Sequence, residues 1–332
     1  MLAANYAYAS GKLKTLEPTI LDNTDIERMV DAPDFKSAFK VLNDTDYADN
    51  LLEIADLDYR DALRDDFDQL YRLLKNIIPD KNVFAFLYSE RDFLIIRYLI
   101  KIKYLNQLEK LDDLSIQNSI NNIESLKAYI LEKKDNGLDP EIKKIIDLAE
   151  QEAKQNPQPA EIDTNITKHY FKFQIRLAEK IKNKFISKLL KIQIDQANLL
   201  TYLRSKRLNL TKEMLINRLF DGGNIKLAEL IGFYEEDLKT IKSLVNKYYN
   251  QAVVKNFDDY LDKDSLFLFE KALEDFQTNY CRQAKMIAYG PEVVVAYYLA
   301  KTTAVKNIRL IMTGKLNQIP NEEIKKTLRA TY

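Results

Sequence analysis

Residues 290–316 read GPEVVVAYYLAKTTAVKNIRLIMTGKL, and this stretch decides the fold class. Pro291 suits the first position of a helix, where its missing N–H costs nothing. Glu292 follows at the positive end of the helix dipole. Gly314 is expected to end the helix in the left-handed conformation, with Lys315 beside the free carbonyls. Between these ends Val294, Tyr297, Ala304, Ile308 and Ile311 recur at gaps that suit one buried helical face. Nothing in the stretch is catalytic chemistry. Its use is as a template, because weaker copies of it occur earlier in the chain.

Composition points the same way. The chain has 332 residues, above a comfortable single-core size, so two or three subdomains are expected. Seven Gly and eight Pro are few for that length and favour long helices over sheets with many tight turns. Fifty basic residues balance fifty acidic ones, so overall charge selects no polyanionic partner. A single cysteine, Cys281, excludes an internal disulfide framework and suits a reducing compartment. A single histidine, His169, makes a histidine metal site or a catalytic triad improbable. The N-terminus lacks the pattern of a signal peptide. The most apolar runs, 93–100 and 293–300, fall far short of the roughly 20 residues a membrane span needs.

Along the chain, helices are expected over 3–14, after Asp22–Asn23, after Pro33, over 53–78 and over 83–105. Pro79 ends the fourth of these. Two or three polar helices follow between 106 and 154, broken at Asn121–Asn122 and around Gly137 and Pro140. Residues 155–163 (QNPQPAEID) read as a linker-like loop, and 164–210 as one nearly unbroken helix. Shorter helices then lead to the stretch at 290–316. No segment alternates with period two, so the fold class is all-α.

Residues 83–105, 186–208 and 295–317 align at offsets of 103 and 109. Leu87, Leu190 and Leu299 coincide, as do Lys103, Lys206 and Lys315. Asp92 pairs with Asp195, Asn198 with Asn307, and Arg97 with Arg309. Near-equal offsets imply three related helical units, taken as 1–105, 106–210 and 211–332. Residues 10–13 (SGKL) echo 313–316 (TGKL), as one more repeat end. Leu87 and Ile96 lie half a turn out of phase at ~3.6 residues per turn, which calls for a bend between them.

Two charged patterns invite chemistry. Asp58, Asp61, Asp65 and Asp68 form an acidic stripe whose DDFD resembles an Asp-rich Mg²⁺ motif but lacks its last acid; a solvated helix face is the better reading. From Lys168 to Lys212 twelve cations face two acids, Glu179 and Asp195. Lys168, Lys172, Arg176, Lys180, Lys184 and Lys188 recur every four residues there, a stripe that could follow a phosphate backbone. A helical nucleic-acid-binding protein using 168–212 is therefore the alternative function. The preferred reading pairs these cations with acidic protein neighbours or solvent, because the chain is neutral and carries no nucleic-acid motif.

Four segments carry a family resemblance: AYASGKLKTLEPTILD, RDFLIIRYLIKIK, DQANLLTYLRSK and YGPEVVVAYYLAKTTAVKNIRLIMTGKL. Together they resemble the C subunit of V/A-type (vacuolar/archaeal-type) ATPases, the family that includes the d subunit of the eukaryotic V-ATPase, over nearly the whole chain. Asp195, Asn198 and Leu199 keep the family's repeat pattern of acid, two residues, Asn and an apolar residue. Ile95 stands where that Asn is expected in the first repeat, Ala304 replaces the acid in the third, and Val293 replaces a frequent Pro. The resemblance implies a non-catalytic rotor subunit without cofactor or metal. It also implies a funnel of three similar bundles about a pseudo-threefold axis. The shaft subunits D and F would dock into that funnel, a membrane rotor ring would lie below it, and catalysis would sit on the A and B subunits. The protein would be cytoplasmic and peripheral on the membrane, moving H⁺ or Na⁺ with its complex. Lys12, Lys103, Lys206 and Lys315, with Arg97 and Arg309, are the candidate subunit-interface residues. The competing reading of the lysines is that they cap helix C-termini.

Overall fold

The computed structural model describes residues 6–42, 45, 59–107, 116, 118–263 and 265–332. Every regular element among them is helical. Helix α1 (Ala7–Leu16) is followed by α2 (Asn23–Asp31), whose cap is a reciprocal pair. The Asp22 carboxylate accepts the Asp25 N–H at 2.9 Å, and the Asp25 carboxylate accepts the Asp22 N–H. Helix α3 (Phe35–Val41) starts on Asp34, which accepts the Ser37 N–H at 2.7 Å, so Pro33 precedes the cap. Helix α4 (Tyr59–Ile77) ends ahead of Pro79. The first residues of the helices expected over 3–14 and 53–78, with Leu57 and Asp58, lie outside the described residues.

Next come α5 (Lys81–Tyr104), α6 (Ile123–Glu132), α7 (Pro140–Gln155) and α8 (Pro159–Ile181). The expected linker at 155–163 is only a three-residue turn. Gln155 closes α7 and Pro159 opens α8, the one helical position where proline loses no bond. The single helix expected over 164–210 is two. Lys182 adopts φ 54, a left-handed end that no glycine or proline announces, and α9 (Lys184–Arg207) starts afresh. The chain continues through α10 (Lys212–Ile216), α11 (Leu227–Gly232), α12 (Lys242–Tyr248), α13 (Gln251–Lys263) and α14 (Leu266–Cys281). It closes with α15 (Pro291–Leu316) and α16 (Asn321–Thr327).

Packing divides the chain into two compact units, 80–183 and 1–79 together with 184–332. In the first unit α5 is enclosed by α6, α7 and α8. Val83, Phe86, Leu87, Tyr88, Phe93, Ile95, Ile96, Leu99 and Ile100 are all buried, so the helix is apolar on nearly every side. That is why Leu87 and Ile96 can both be buried half a turn out of phase. The expected bend is unnecessary, because α5 runs unbroken with neighbours on more than one side.

In the second unit α9 packs on α14, which also contacts α13 and α15. Tyr202, Phe257 and Phe269 anchor this core, the two phenylalanines edge-to-face with centroids 5.2 Å apart. The start of the chain joins its end here, with α1, α2 and α3 against α15 and α2 also against α16. The buried pair Lys301–Asp66, at 2.8 Å, fastens α4 to α15. Pairing two buried charges adds little net stability but specifies one register, because any slip leaves a charge unpaired.

Candidate functional site

The three repeat helices α5, α9 and α15 end in one way. Asn106, Asn209 and Gln318 take left-handed φ values of 53, 52 and 55, at the same offsets of 103 and 109 that align the sequence. The following N–H groups of Gln107, Leu210 and Ile319 donate back to the carbonyls of Ile102, Ser205 and Gly314, at 3.0, 3.0 and 2.9 Å. This six-residue closure is a Schellman end. Gly314 does not end the helix, contrary to the expectation from TGKL. It lies inside α15, and a Cβ there would stand 2.6 Å from Cδ1 of Ile324, so its function is close approach of α16. Gly11 of SGKL is likewise inside α1, with open space beside it.

Each repeat-end lysine is engaged within the chain. Lys103 donates to the Ile130 carbonyl in the last turn of α6 and to Glu150 Oε1 at 2.6 Å. Lys206 donates to the Glu236 carbonyl at 2.8 Å, its Nζ 5.0 Å from the centroid of the Tyr234 ring. Lys315 donates to the Ala32 carbonyl at the end of α2 and to Asn321 Oδ1 at 2.8 Å. Burial pushes the Lys315 ammonium below its ordinary range, against the pull of Asp31 and Asp34. The three lysines thus tie the long helices to carbonyls at the ends of neighbouring helices or turns. Lys12 differs: it is exposed, with no side-chain hydrogen bond or ion pair among the described residues. Arg97 donates to Thr167 Oγ1 at 3.0 Å beside Asp163, whereas Arg309, on α15, is exposed.

Buried polar side chains at the aligned positions explain the repeat pattern. Asp92 is 1 % exposed and accepts the N–H groups of Ile120 and Asn121 and the Asn121 side-chain amide. Asp195, 2 % exposed, accepts the N–H groups of Asn224 and Ile225 and the Asn224 side-chain amide. Burial raises the carboxyl of Asp92 to about 6, against the lowering effect of its hydrogen bonds, and shifts Asp195 in the same direction. Asn198 and Asn307 are fully buried and grip a backbone unit from both sides. Asn198 accepts the Phe220 N–H at 2.8 Å and donates to its carbonyl at 2.7 Å; Asn307 does the same to Arg329 at 2.9 and 2.9 Å. Each is a complete satisfaction of a buried peptide group. These are anchors for turns, not reactive groups.

The sequence from 9 to 327 matches the family described as the ATP synthase (C/AC39) subunit. The chain belongs to this family. It is 21% identical to the C subunit of the V-type sodium ATPase of Enterococcus hirae, covering 95% of each chain. It is 24% identical to the C subunit of the A-type ATP synthase of Methanocaldococcus jannaschii, covering 98% of this chain and 86% of that one. The corresponding A-type protein from Desulfurococcus is also 24% identical, with 96% and 89% covered. As a member of this family the protein is a non-catalytic component of a V/A-type rotary ATPase.

The remaining candidates fit an ATP synthase (C/AC39) subunit. The basic residues of 168–212 do not share one helix, since α8 and α9 divide them between the two packing units. Several are engaged: Arg176 and Lys180 meet Glu141 at 2.7 and 3.6 Å, and Lys188 lies over the Tyr280 ring. In the acidic stripe Asp61 pairs with Arg64 at 2.8 Å, and no group of acids, His or Cys among the described residues converges as a metal site. His169 is buried with its Nε2 2.9 Å from Glu152. Burial raises the Cys281 thiol to about 12, so it stays protonated and unreactive. No helix among the described residues is long and apolar enough to cross a membrane. Sequence reasoning missed Asp66–Lys301, because Asp66 hides within an acidic run and only its helical phase separates it from exposed neighbours.

Proposed function

We propose that this protein is a central-stalk coupling element, joining a D/F shaft to a membrane rotor ring in the cytoplasm during H⁺ or Na⁺ transport. The observation that carries the reading is the likeness of the three long-helix ends, repeated at fixed offsets and locked by Schellman closures and buried side chains. A torque coupling needs stiffness, and fully hydrogen-bonded turns at repeated positions supply it without reactive groups. Three such helices suit a pseudo-threefold funnel, with one related helical unit around each. The neutral charge and the division of the 168–212 cations between two helices favour protein partners over a nucleic acid.

The test is to remove the protein from cells and measure both activities of their membranes. ATP hydrolysis by released catalytic subunits should persist while ATP-driven ion transport is lost. Transport at the wild-type rate without the protein would refute the coupling role.

A further inference from the structure

One face of helix α1 and the segment 285–290 beside it carry large side chains that the described residues leave exposed. Helix α1 is held along residues 285–290: the Gly290 N–H donates to Ser10 Oγ at 3.1 Å, and Lys285 lies 3.6 Å from Glu17. At ~100° per residue, Tyr8 and Lys12 stand about 200° from Ser10, so they form a ridge on the far side of α1. Ala7 and Gly11 lie between that ridge and the 285–290 segment, and both are exposed. Among the described residues, nothing beyond the adjoining backbone of α1 stands within 4 Å of where a Cβ on Gly11 would be. The 285–290 segment carries Tyr289, 50 % exposed, and Met286, 90 % exposed, while Tyr8 on α1 is 72 % exposed. These are the most exposed aromatic and methionine side chains among the described residues, and such residues are enriched where proteins dock.

Charge identifies the occupant. Residues 7–17 and 282–290 hold Lys12, Lys14, Arg282 and Lys285 against one acid, Glu17, in a chain that is neutral overall. Glu17 is already met by Lys285, and Lys12 has no partner among the described residues. We propose that this exposed face receives an acidic amphipathic helix of another protein of the ATPase complex, its apolar side on Tyr8, Met286 and Tyr289 and its carboxylates toward Lys12. The proposal rests on the reading of the chain as a component of that complex. A lipid surface fits less well, because insertion needs a continuous row of large apolar side chains and α1 offers Ala7 and Gly11 between its flanks. Steering by the excess positive charge would make the association salt-dependent.

The experiment uses the full chain carrying an affinity tag, isolated from its own membranes in mild detergent. Four versions are compared: wild type, Tyr8→Asp with Met286→Asp, Lys12→Glu, and Leu148→Asp as an exposed-leucine control on the other packing unit. The double variant should recover at least tenfold less of the other ATPase subunits, Lys12→Glu severalfold less, and the control within twofold of wild type. Circular dichroism melts of the free variants should match wild type. A photo-crosslinking residue at Tyr289 in the otherwise native chain should label a helical segment with more Asp and Glu than Lys and Arg. Undiminished recovery of the double variant, or adducts confined to lipid or to a basic segment, overturns the proposal. A wild-type chain that brings down no ATPase subunit overturns the complex reading itself, and this proposal with it.

Discussion

Helices α5 and α15 each keep half of what α9 has. In α9, Asp195 holds the turn 29 residues on at Asn224, and Asn198 holds the peptide 22 residues on at Phe220. Helix α5 keeps the acid, Asp92, which holds Asn121 at the same separation of 29, but has Ile95 at the asparagine position. Helix α15 keeps the asparagine, Asn307, which holds Arg329 at the same separation of 22, but has Ala304 at the acid position. The two anchors are therefore separable devices: α5 holds only the first and α15 only the second. A charge or amide buried without a turn to hold it would be a cost.

The comparison can be broken most severely at α15. Ala304→Asp should place a carboxylate at a position that is buried among apolar side chains, costing about 3–5 kcal/mol in urea unfolding. A neutral result would show that the acid needs no partner. At α9, Asn198→Ala should strand both the N–H and the carbonyl of Phe220 and cost about 2–4 kcal/mol, with hydrogen exchange faster at Phe220.

At α5 the test is pH. The folded Asp92 carboxyl titrates near 6, above its ordinary value of 3.8, so between those values the folded chain holds a proton that the unfolded chain has released. Stability from this group is complete below pH 4 and is lost as pH rises through 6, on the order of 2–3 kcal/mol. Comparing unfolding of wild type and Asp92→Asn at pH 4 and pH 7 isolates it: the variant should lack that fall. The smallest effects separate two helical glycines. Gly314→Ala should destabilise by about 1–2 kcal/mol through contact with Ile324, whereas Gly11→Ala should stabilise by up to about 1 kcal/mol.

Much of this architecture is legible in the sequence, and the misses have common physical causes. Caps such as Asp22, and the start at Gly290-Pro291-Glu292, are local chemistry and read correctly. The repeat at Asp92, Asp195, Asn198 and Asn307 is visible because buried polar residues tolerate few substitutes. A helix end without glycine or proline is not visible inside an otherwise periodic run: Lys182 turns left-handed in the middle of the helix expected over 164–210. Gly314 shows the reverse error, a glycine kept for a neighbour rather than for its backbone freedom. The repeat-end lysines align correctly by sequence, but their carbonyl partners come from Ala32, Ile130 and Glu236, none of which the local pattern indicates.

The most direct measurement is affinity purification of the tagged chain from native membranes, with the subunits that accompany it counted by mass spectrometry. Catalytic, shaft and ring subunits of a V/A-type ATPase should be recovered in fixed ratios to it, surviving gel filtration together. Recovery of the chain alone, or with a complex lacking the ring, would contradict the proposed place between shaft and ring.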